Sequence, residues 1–280
     1  MRNKYLLPLI KELVHKLAKK SWFTKFDVRW GYNNVCIKEG DEWKAAFKIN
    51  LGLFEPTVMF FGLITNSPAT FQTMMDDLFS KELATGNVVI YMDDILIATD
   101  GDLNQHCKEV SHILDKLRSN DLYLKPEKCI FHQKEVEYLR VIVGNGEVKM
   151  DLVKVEGIAN WPVPKSPTQL RSFLGFGNYY KDFIANYSRI TRPLHDMTRR
   201  AYKWKWEPEQ DKAFRTLKRL FTSYPVLRNP DHTKRFIVDT DASAHAVRAT
   251  LSQDSSDERH PIAFFSKSLT PPECNYDIYD

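Results

Sequence analysis

The sequence predicts an α+β chain, on three observations. Residues 88–98 are apolar except at their centre, Asp93-Asp94, which reads as two short strands joined by a hairpin turn. Apolar residues recur at helical spacing at Leu6, Ile10, Leu13, Val14 and Leu17, and again at Val110, Ile113, Leu114 and Leu117 of a helix over 103–118. From residue 235 onward the pattern returns to strand-like runs, at 235–238, 245–251 and 262–266. Strands and helices thus mix in the first half, helices fill the middle and strands close the chain.

The remaining elements follow in order. Residues 21–37 read as a strand pair around Trp30-Gly31. Ser67 is an N-cap followed by Pro68 at the first helical position, so a helix should run to about Phe79. Residues 136–143 and 147–150 flank Gly144-Asn145-Gly146, a second hairpin signal. The Pro-containing stretch 161–167 reads as a linker, and helices follow at 169–184 and 209–221. A length of 280 residues suits two domains, or one and part of a second.

The chain is 43% hydrophobic and 27% charged, ordinary for a globular protein with a sizeable core. No apolar run approaches the ~20 residues needed to cross a bilayer, and the Lys and Arg scattered through residues 1–20 interrupt any signal-peptide stretch. The expectation is a protein that stays inside the cell and makes no membrane contact. Cys36, Cys107, Cys129 and Cys274 form no Cys-x-x-Cys pair and read as free thiols. Residues 154–235 hold 17 Lys and Arg against 7 Asp and Glu, a net +10, which leaves −6 for the rest of a chain whose total is +4. Such asymmetry suits a polyanionic partner; a solvated basic face would produce it equally.

The chemistry centres on Asp93-Asp94. Burying two carboxylates between apolar strands costs several kcal/mol, roughly, whereas at a hairpin tip they can point together into a cleft. Adjacent like charges repel unless neutralised, and a divalent cation is the obvious agent; a tight turn that needs Asp for its backbone geometry is the competing reading. Asp27, at the end of the strand-like run from Phe23, is the natural third member, because two-metal phosphoryl transfer draws carboxylates from different segments. A second pair, Asp76-Asp77, falls inside the 67–79 helix and reads as a solvated helix face.

Phe23-Thr24-Lys25-Phe26-Asp27-Val28-Arg29-Trp30-Gly31-Tyr32 resembles the first catalytic motif of reverse transcriptases from gypsy-type LTR retrotransposons. Gly52-Leu53-Phe54-Glu55 leads into Met59-Phe60-Phe61-Gly62-Leu63 and then Asn66-Ser67-Pro68-Ala69-Thr70-Phe71-Gln72. Tyr91-Met92-Asp93-Asp94-Ile95-Leu96-Ile97 resembles the polymerase signature, Glu137-Tyr138-Leu139 the primer grip, and the stretch from Leu170 to Phe176 a helical connection. The run from Arg235 to Ser243 and the run from His260 to Lys267 resemble the first and third strands of a ribonuclease H domain.

The resemblance implies a palm, an antiparallel sheet with packed helices and incomplete fingers, over 1–150. A helical, thumb-like connection follows over 151–202, then a truncated ribonuclease H-like α/β unit over 203–280. It implies an RNA-directed DNA polymerase with Asp27, Asp93 and Asp94 as catalytic metal ligands for two Mg2+ ions, Mn2+ being a substitute. Tyr32 would be a gate against the ribose 2′-hydroxyl, with a plain half-buried tyrosine as the alternative, and Phe61 and Gly62 would face the incoming base and sugar. Asp241 would be a vestigial ribonuclease H metal ligand. The partners would be an RNA or DNA template with its primer and deoxynucleoside triphosphates, in the cytoplasm, a virus-like particle or the nucleus. Gln72 is assigned to helix packing beneath the site, and Trp161, Trp204 and Trp206 to the core.

The chain departs from the family pattern at several points. It starts after the family's first fingers strands and stops at Asp280, before the helix that brings the next ribonuclease H carboxylate. Ile64 is an added residue, Arg140 and Arg248 stand where glycine is usual, and Leu51 replaces a usual Arg. An excised or decaying copy of a mobile element fits these departures, so two readings stand: a polymerase without ribonuclease H activity, or a non-catalytic remnant that at most binds nucleic acid. A nuclease, resting on Asp241 alone, is the weakest third.

Overall fold

A computed structural model describes residues 5–17, 19–60, 62, 67–199, 203–223, 226–243, 246–255, 258–270 and 272–275. The chain divides into two units, residues 1–139 with 143–145 and residues 140–142 with 146–280. Antiparallel sheets and packed helices build both, in keeping with the α+β class.

In the first unit α1 (Ile10–Lys16) buries Leu13 and Val14. Then come β1 (Trp22–Asp27) and a small hairpin of β2 (Phe47–Ile49) and β3 (Gly52–Phe54), followed by α2 (Ser67–Leu78) and α3 (Ser80–Thr85). The central hairpin is β4 (Val88–Tyr91) and β5 (Asp94–Thr99), and α4 (Leu103–Ser119), β6 (Ile130–Gln133) and β7 (Glu135–Tyr138) complete the unit. The main sheet has the order β4-β5-β1-β6. Its Phe26, Ile95 and Ile97 pack against Phe71 and Met75 of α2 and Ile113 and Leu117 of α4, each burial contributing about 1.5–3 kcal/mol. Asp102 caps α4, its carboxylate accepting the Gln105 N–H at 2.8 Å. On the α4 side of the sheet His106 is wholly buried, its Nε2 2.8 Å from Thr24 Oγ1 and its Nδ1 2.9 Å from Thr99 Oγ1.

Three expectations for this unit need correction. Residues 21–37 are not a strand pair: after β1 the chain passes Trp30, in the left-handed region at φ 52°, into a 3-10 turn at Gly31–Asn34. A left-handed residue ends an extended run, and only an isolated bridge, Cys36 to Val58, remains beyond it. Residues 136–143 are not one strand either, because Leu139 and Arg140 have φ of 48° and 67° and break the run. Ser67 is the first residue of α2 rather than a bonded cap, and its buried hydroxyl finds no partner among the described residues. The added Ile64 lies outside the described residues.

The boundary between the units runs through β8 (Val141–Gly144). Asn145 and Gly146 follow with φ of 52° and 75°, the pair of left-handed residues that a tight two-residue hairpin turn requires. The second unit continues with β9 (Glu147–Met150), α5 (Leu152–Ala159), α6 (Pro167–Tyr179), α7 (Tyr187–Asp196), α8 (Pro208–Thr222) and β10 (Val226–Arg228), β10 pairing with β9. Ser166 caps α6 with Pro167 at its first position. Rings of Phe173 and Phe214 lie 4.7 Å apart where α6 meets α8. Trp161 packs on Phe173 and Trp206 on Phe214, both half-buried at the margin of that cluster.

The helices α5 and α7 were not anticipated, and the expected helix over 169–184 ends at Tyr179. The final strands are longer than expected: β11 (Ile237–Ser243), β12 (Ala246–Ser255) and β13 (Glu258–Ser268) form an antiparallel meander. The four cysteines are free. No helix among the described residues is long and apolar enough to cross a membrane.

Candidate functional site

The end of β1 and the β4–β5 turn bring three acidic residues together. Asp27 and Asp94 are direct partners in the β1–β5 ladder, so their Cβ atoms stand roughly 4.5–5.5 Å apart. Asp93 occupies the turn, and its carbonyl accepts the Val28 N–H at 2.8 Å. The turn itself is unusual: Met92 has φ 55°, a conformation that costs a non-glycine residue about 1–2 kcal/mol. Gln72 holds it. The Met92 N–H donates to Gln72 Oε1 at 2.7 Å, while Gln72 Nε2 donates to Asp76 Oδ1 at 2.9 Å and to the Ile90 carbonyl at 3.3 Å.

Lysines balance this negative charge. Lys125 Nζ lies 2.6 Å from Asp27 Oδ1 and Lys128 Nζ 3.3 Å from Oδ2, while Lys25 Nζ lies 3.4 Å from Asp94 Oδ1. The hydrogen bond to Asp27, ahead of the charges of Asp27 and Asp93, raises the Lys125 ammonium above its ordinary range. Burial, the largest influence, pushes the Asp94 carboxyl up; Lys25 opposes it, and the charges of Asp93 and Asp27 push the same way as burial. Such a carboxyl gains most from a further cation.

No three His, Cys, Asp or Glu side chains among the described residues form a ready-made metal cage. The donor set nevertheless suits a hard cation. It consists of oxygen ligands on adjoining residues, and the wholly buried Tyr138 hydroxyl, which has no partner among the described residues, is pushed up by burial and then by the charge of Asp94.

Tyr32 reaches the same turn. Its ring stands edge-on to Phe71 at 5.9 Å, and its hydroxyl donates to Met92 Sδ at 3.7 Å. Burial, then the charge of Asp93, raises its pKa. Gly31 permits this seating, since a Cβ there would meet the Phe71 ring at 3.0 Å. Gly62 has φ 95°, a value suited to glycine; Phe61 lies outside the described residues. Two residues around the site differ from their sequence reading. Gln72 does more than pack a helix, since it splints the turn. Asp76 is not a free helix face: it accepts from Gln72 and from the Tyr5 hydroxyl at 2.5 Å, while Asp77 is exposed. Lys125 and Lys128 were missed, since nothing in the Lys-Pro-Glu-Lys run that carries them points to Asp27, 98 residues before Lys125.

In the second unit the basic stretch presents exposed Arg171, Lys181, Arg192, Lys212 and Arg215. Asp241 lies inside β11 rather than beyond its end, and Arg248 Nη2 sits 2.5 Å from its Oδ2.

Comparison with known proteins gives the following. The family model for reverse transcriptase (RNA-dependent DNA polymerase) matches residues 1–143, and the model for an RNase H-like domain found in reverse transcriptase matches residues 206–280. The chain is 36% identical over 279 residues to the Transposon Tf2-3 polyprotein of Schizosaccharomyces pombe, and 35% identical to the Tf2-7 polyprotein, in each case over 99% of this chain and 21% of the relative. The chain therefore spans about a fifth of the length of these relatives. A foamy viral protease-reverse transcriptase in complex with an RNA/DNA hybrid superposes with a TM-score of 0.85 at 21% identity, over 98% of this chain and 37% of that one. A foamy viral protease-reverse transcriptase dRH in complex with double-stranded DNA gives 0.85 at 20% identity, over 99% of this chain and 48% of that one. At these identities the likeness is one of fold.

Proposed function

Because this chain belongs to the reverse transcriptase (RNA-dependent DNA polymerase) family, we propose that it is the polymerase portion of a gypsy-type LTR retrotransposon polyprotein, adding deoxynucleotides to a primer along an RNA or DNA template. The observation that carries this reading is the pairing of Asp27 with Asp94 across one ladder, with Asp93 in the adjoining turn. Asp27, Asp93 and Asp94 would hold two magnesium ions, or manganese in their place. The ions supply Lewis acidity toward a primer 3′-hydroxyl and the leaving pyrophosphate.

The chain's own side chains do the rest. Gln72 fixes the turn that carries Asp93, and Lys125 and Lys128 balance the charge of Asp27, which would be one of the metal ligands. Tyr32, wedged between Phe71 and Met92, presents an unyielding ring against a 2′-hydroxyl. Phe61 and Gly62 would flank the base and sugar. Exposed Arg and Lys of residues 154–235 would track phosphates, giving sequence-independent and salt-sensitive binding. Such an enzyme would work in the cytoplasm, in a virus-like particle or in the nucleus. Asp241 would be a vestigial ribonuclease H ligand, so cleavage of the RNA strand is not expected.

A second reading, a remnant that binds nucleic acid without catalysis, draws on the lysines already seated on Asp27. Primer extension on an RNA template with magnesium decides between them. Extension by the native chain that vanishes in Asp94→Asn supports the polymerase; salt-sensitive binding without extension supports the remnant.

A further inference from the structure

Strand β11 carries two carboxylates, Asp239 and Asp241, two residues apart in an unbroken ladder with β12. They therefore share one face of the strand. Both side chains are largely exposed, at 61% and 57%. Each is already met by an arginine. Arg248 is the direct ladder partner of Asp241, its Nη2 2.5 Å from Oδ2. The other arm of the same guanidinium, Nη1, donates to Asn186 Oδ1 at 2.8 Å, so the group is pinned at both ends. Arg259 Nη1 lies 3.3 Å from Asp239 Oδ2, and its Nε lies 3.4 Å from Asp254 Oδ1. A recess of about 380 Å³ beside the pairs is lined by Ala185, Asn186, Arg248, Phe264 and Phe265 among others.

We propose that Arg248 is a built-in cation that denies this face to magnesium, so that the β11–β13 meander has exchanged metal chemistry for an internal ion pair. Magnesium gives up its waters reluctantly and needs carboxylate charge to hold it. Here Arg248 is given over to Asp241 alone among the carboxylates, while Arg259 is shared by Asp239 and Asp254, so each carboxylate of β11 already has a fixed cation against it. A guanidinium cannot be deprotonated, and its planar fork matches a carboxylate and an amide oxygen at once. The exposure of Asp239 and Asp241 also removes the low-dielectric strengthening that a buried metal site enjoys.

The turn in the first unit, also balanced by cations, differs in burial and in the kind of counter-ion. Asp27 and Asp94 adjoin and are 11% and 29% exposed. Their counter-ions are lysines, point charges on flexible stems that can swing away.

The test is residue-resolved paramagnetic broadening in the deuterated, 15N-labelled full chain titrated with manganese to millimolar concentration. The native chain should keep sharp amide signals at Thr240, Asp241, Ala242 and Arg248. Arg248→Leu should lose those signals, and the loss should disappear when Asp241→Asn is added or when excess magnesium competes. Arg248→Gln, neutral and polar, carries the same expectation should the leucine variant fail to fold. Loss of these signals in the native chain, or their persistence in a folded Arg248 variant, overturns the proposal.

Discussion

Replacing Gln72 by leucine removes the splint of the β4–β5 turn at nearly constant volume. Gln72 is wholly buried and makes three hydrogen bonds, to the Met92 N–H at 2.7 Å, Asp76 Oδ1 at 2.9 Å and the Ile90 carbonyl at 3.3 Å. Asp76 keeps its bond from Tyr5, and Ile90 keeps its ladder partner Ile95, so those losses are modest. The Met92 N–H has no such fallback. It is left half-buried on a residue already in the left-handed region, at a cost of about 1–3 kcal/mol for the unpaired donor. Together the three losses weaken the turn by about 2–4 kcal/mol, which is roughly 30- to 1,000-fold in the equilibrium for local opening. The readout is amide exchange at Val28, whose N–H donates to the Asp93 carbonyl at 2.8 Å and so reports directly on the turn. Exchange there should accelerate by that factor in Gln72→Leu while Phe173 and Leu174, in the other unit, are unchanged. Primer extension should fall with it, since a displacement of about 1 Å at a reacting centre costs on the order of 100-fold. An acceleration below about threefold at Val28 would refute the idea that Gln72 holds the turn.

Three further outcomes are expected. His106, buried between Thr24 and Thr99, has its pKa lowered to about 4, first by burial and then by His132. The unfolded chain protonates first as pH falls, so this stability is whole above the ordinary histidine pKa and is lost toward pH 4. Urea unfolding should show a loss of about 2 kcal/mol between pH 7 and pH 5 that His106→Gln removes. Tyr32→Ala should raise ribonucleotide incorporation relative to deoxyribonucleotide by at least roughly tenfold in single-nucleotide extension, and an unchanged ratio removes the gate assignment. Arg140→Gly relieves a side chain held at φ 67°, a gain of about 1 kcal/mol, less about 0.5 kcal/mol for the lost contact over the Tyr179 ring at 5.5 Å; the net stabilisation should appear as a small rise in the urea midpoint.

Where local pattern and tertiary packing agree, the fold was legible. The β4–β5 hairpin shows itself as two apolar runs around a polar centre, and α4 as a stripe of Val110, Ile113 and Leu117 behind the cap Asp102. The missed elements break those signals for identifiable reasons. In α7 the buried residues Tyr187, Thr191 and Leu194 do recur at helical spacing, but one is polar and Pro193 lies within the helix, which masks the period. The second strand expected after β1 fails because Trp30 is left-handed and a 3-10 turn follows, for which Gly31, Asn33 and Asn34 were turn signals that the strand reading passed over. At Arg140 the positive φ explains why glycine is the comfortable residue there, so the substitution noticed in the sequence has a measurable backbone cost.

The candidate site divides in the same way. Asp93 and Asp94 stand out because carboxylates between apolar strands demand a reason, whereas Asp27 was named only as their third member and through the motif around it. Their counter-ions could not. Lys125 reaches Asp27 across 98 residues of sequence, and Gln72 reaches Met92 across 20. Neither lysine nor glutamine is remarkable in composition, since both are ordinary on helices and turns. What marks them is burial and partner, which exist only once the chain is folded. The two acidic centres also show why residue type alone cannot settle whether carboxylates will take a metal. Asp27 with Asp94 and Asp239 with Asp241 are similar pairs on paper. One pair is sheltered and balanced by lysine ammonium groups on flexible stems; the other is exposed and clasped by guanidiniums, Arg248 being anchored to Asn186 as well. A divalent ion must displace the counter-ion to bind, and only at the first pair can that counter-ion leave without breaking a second anchored contact.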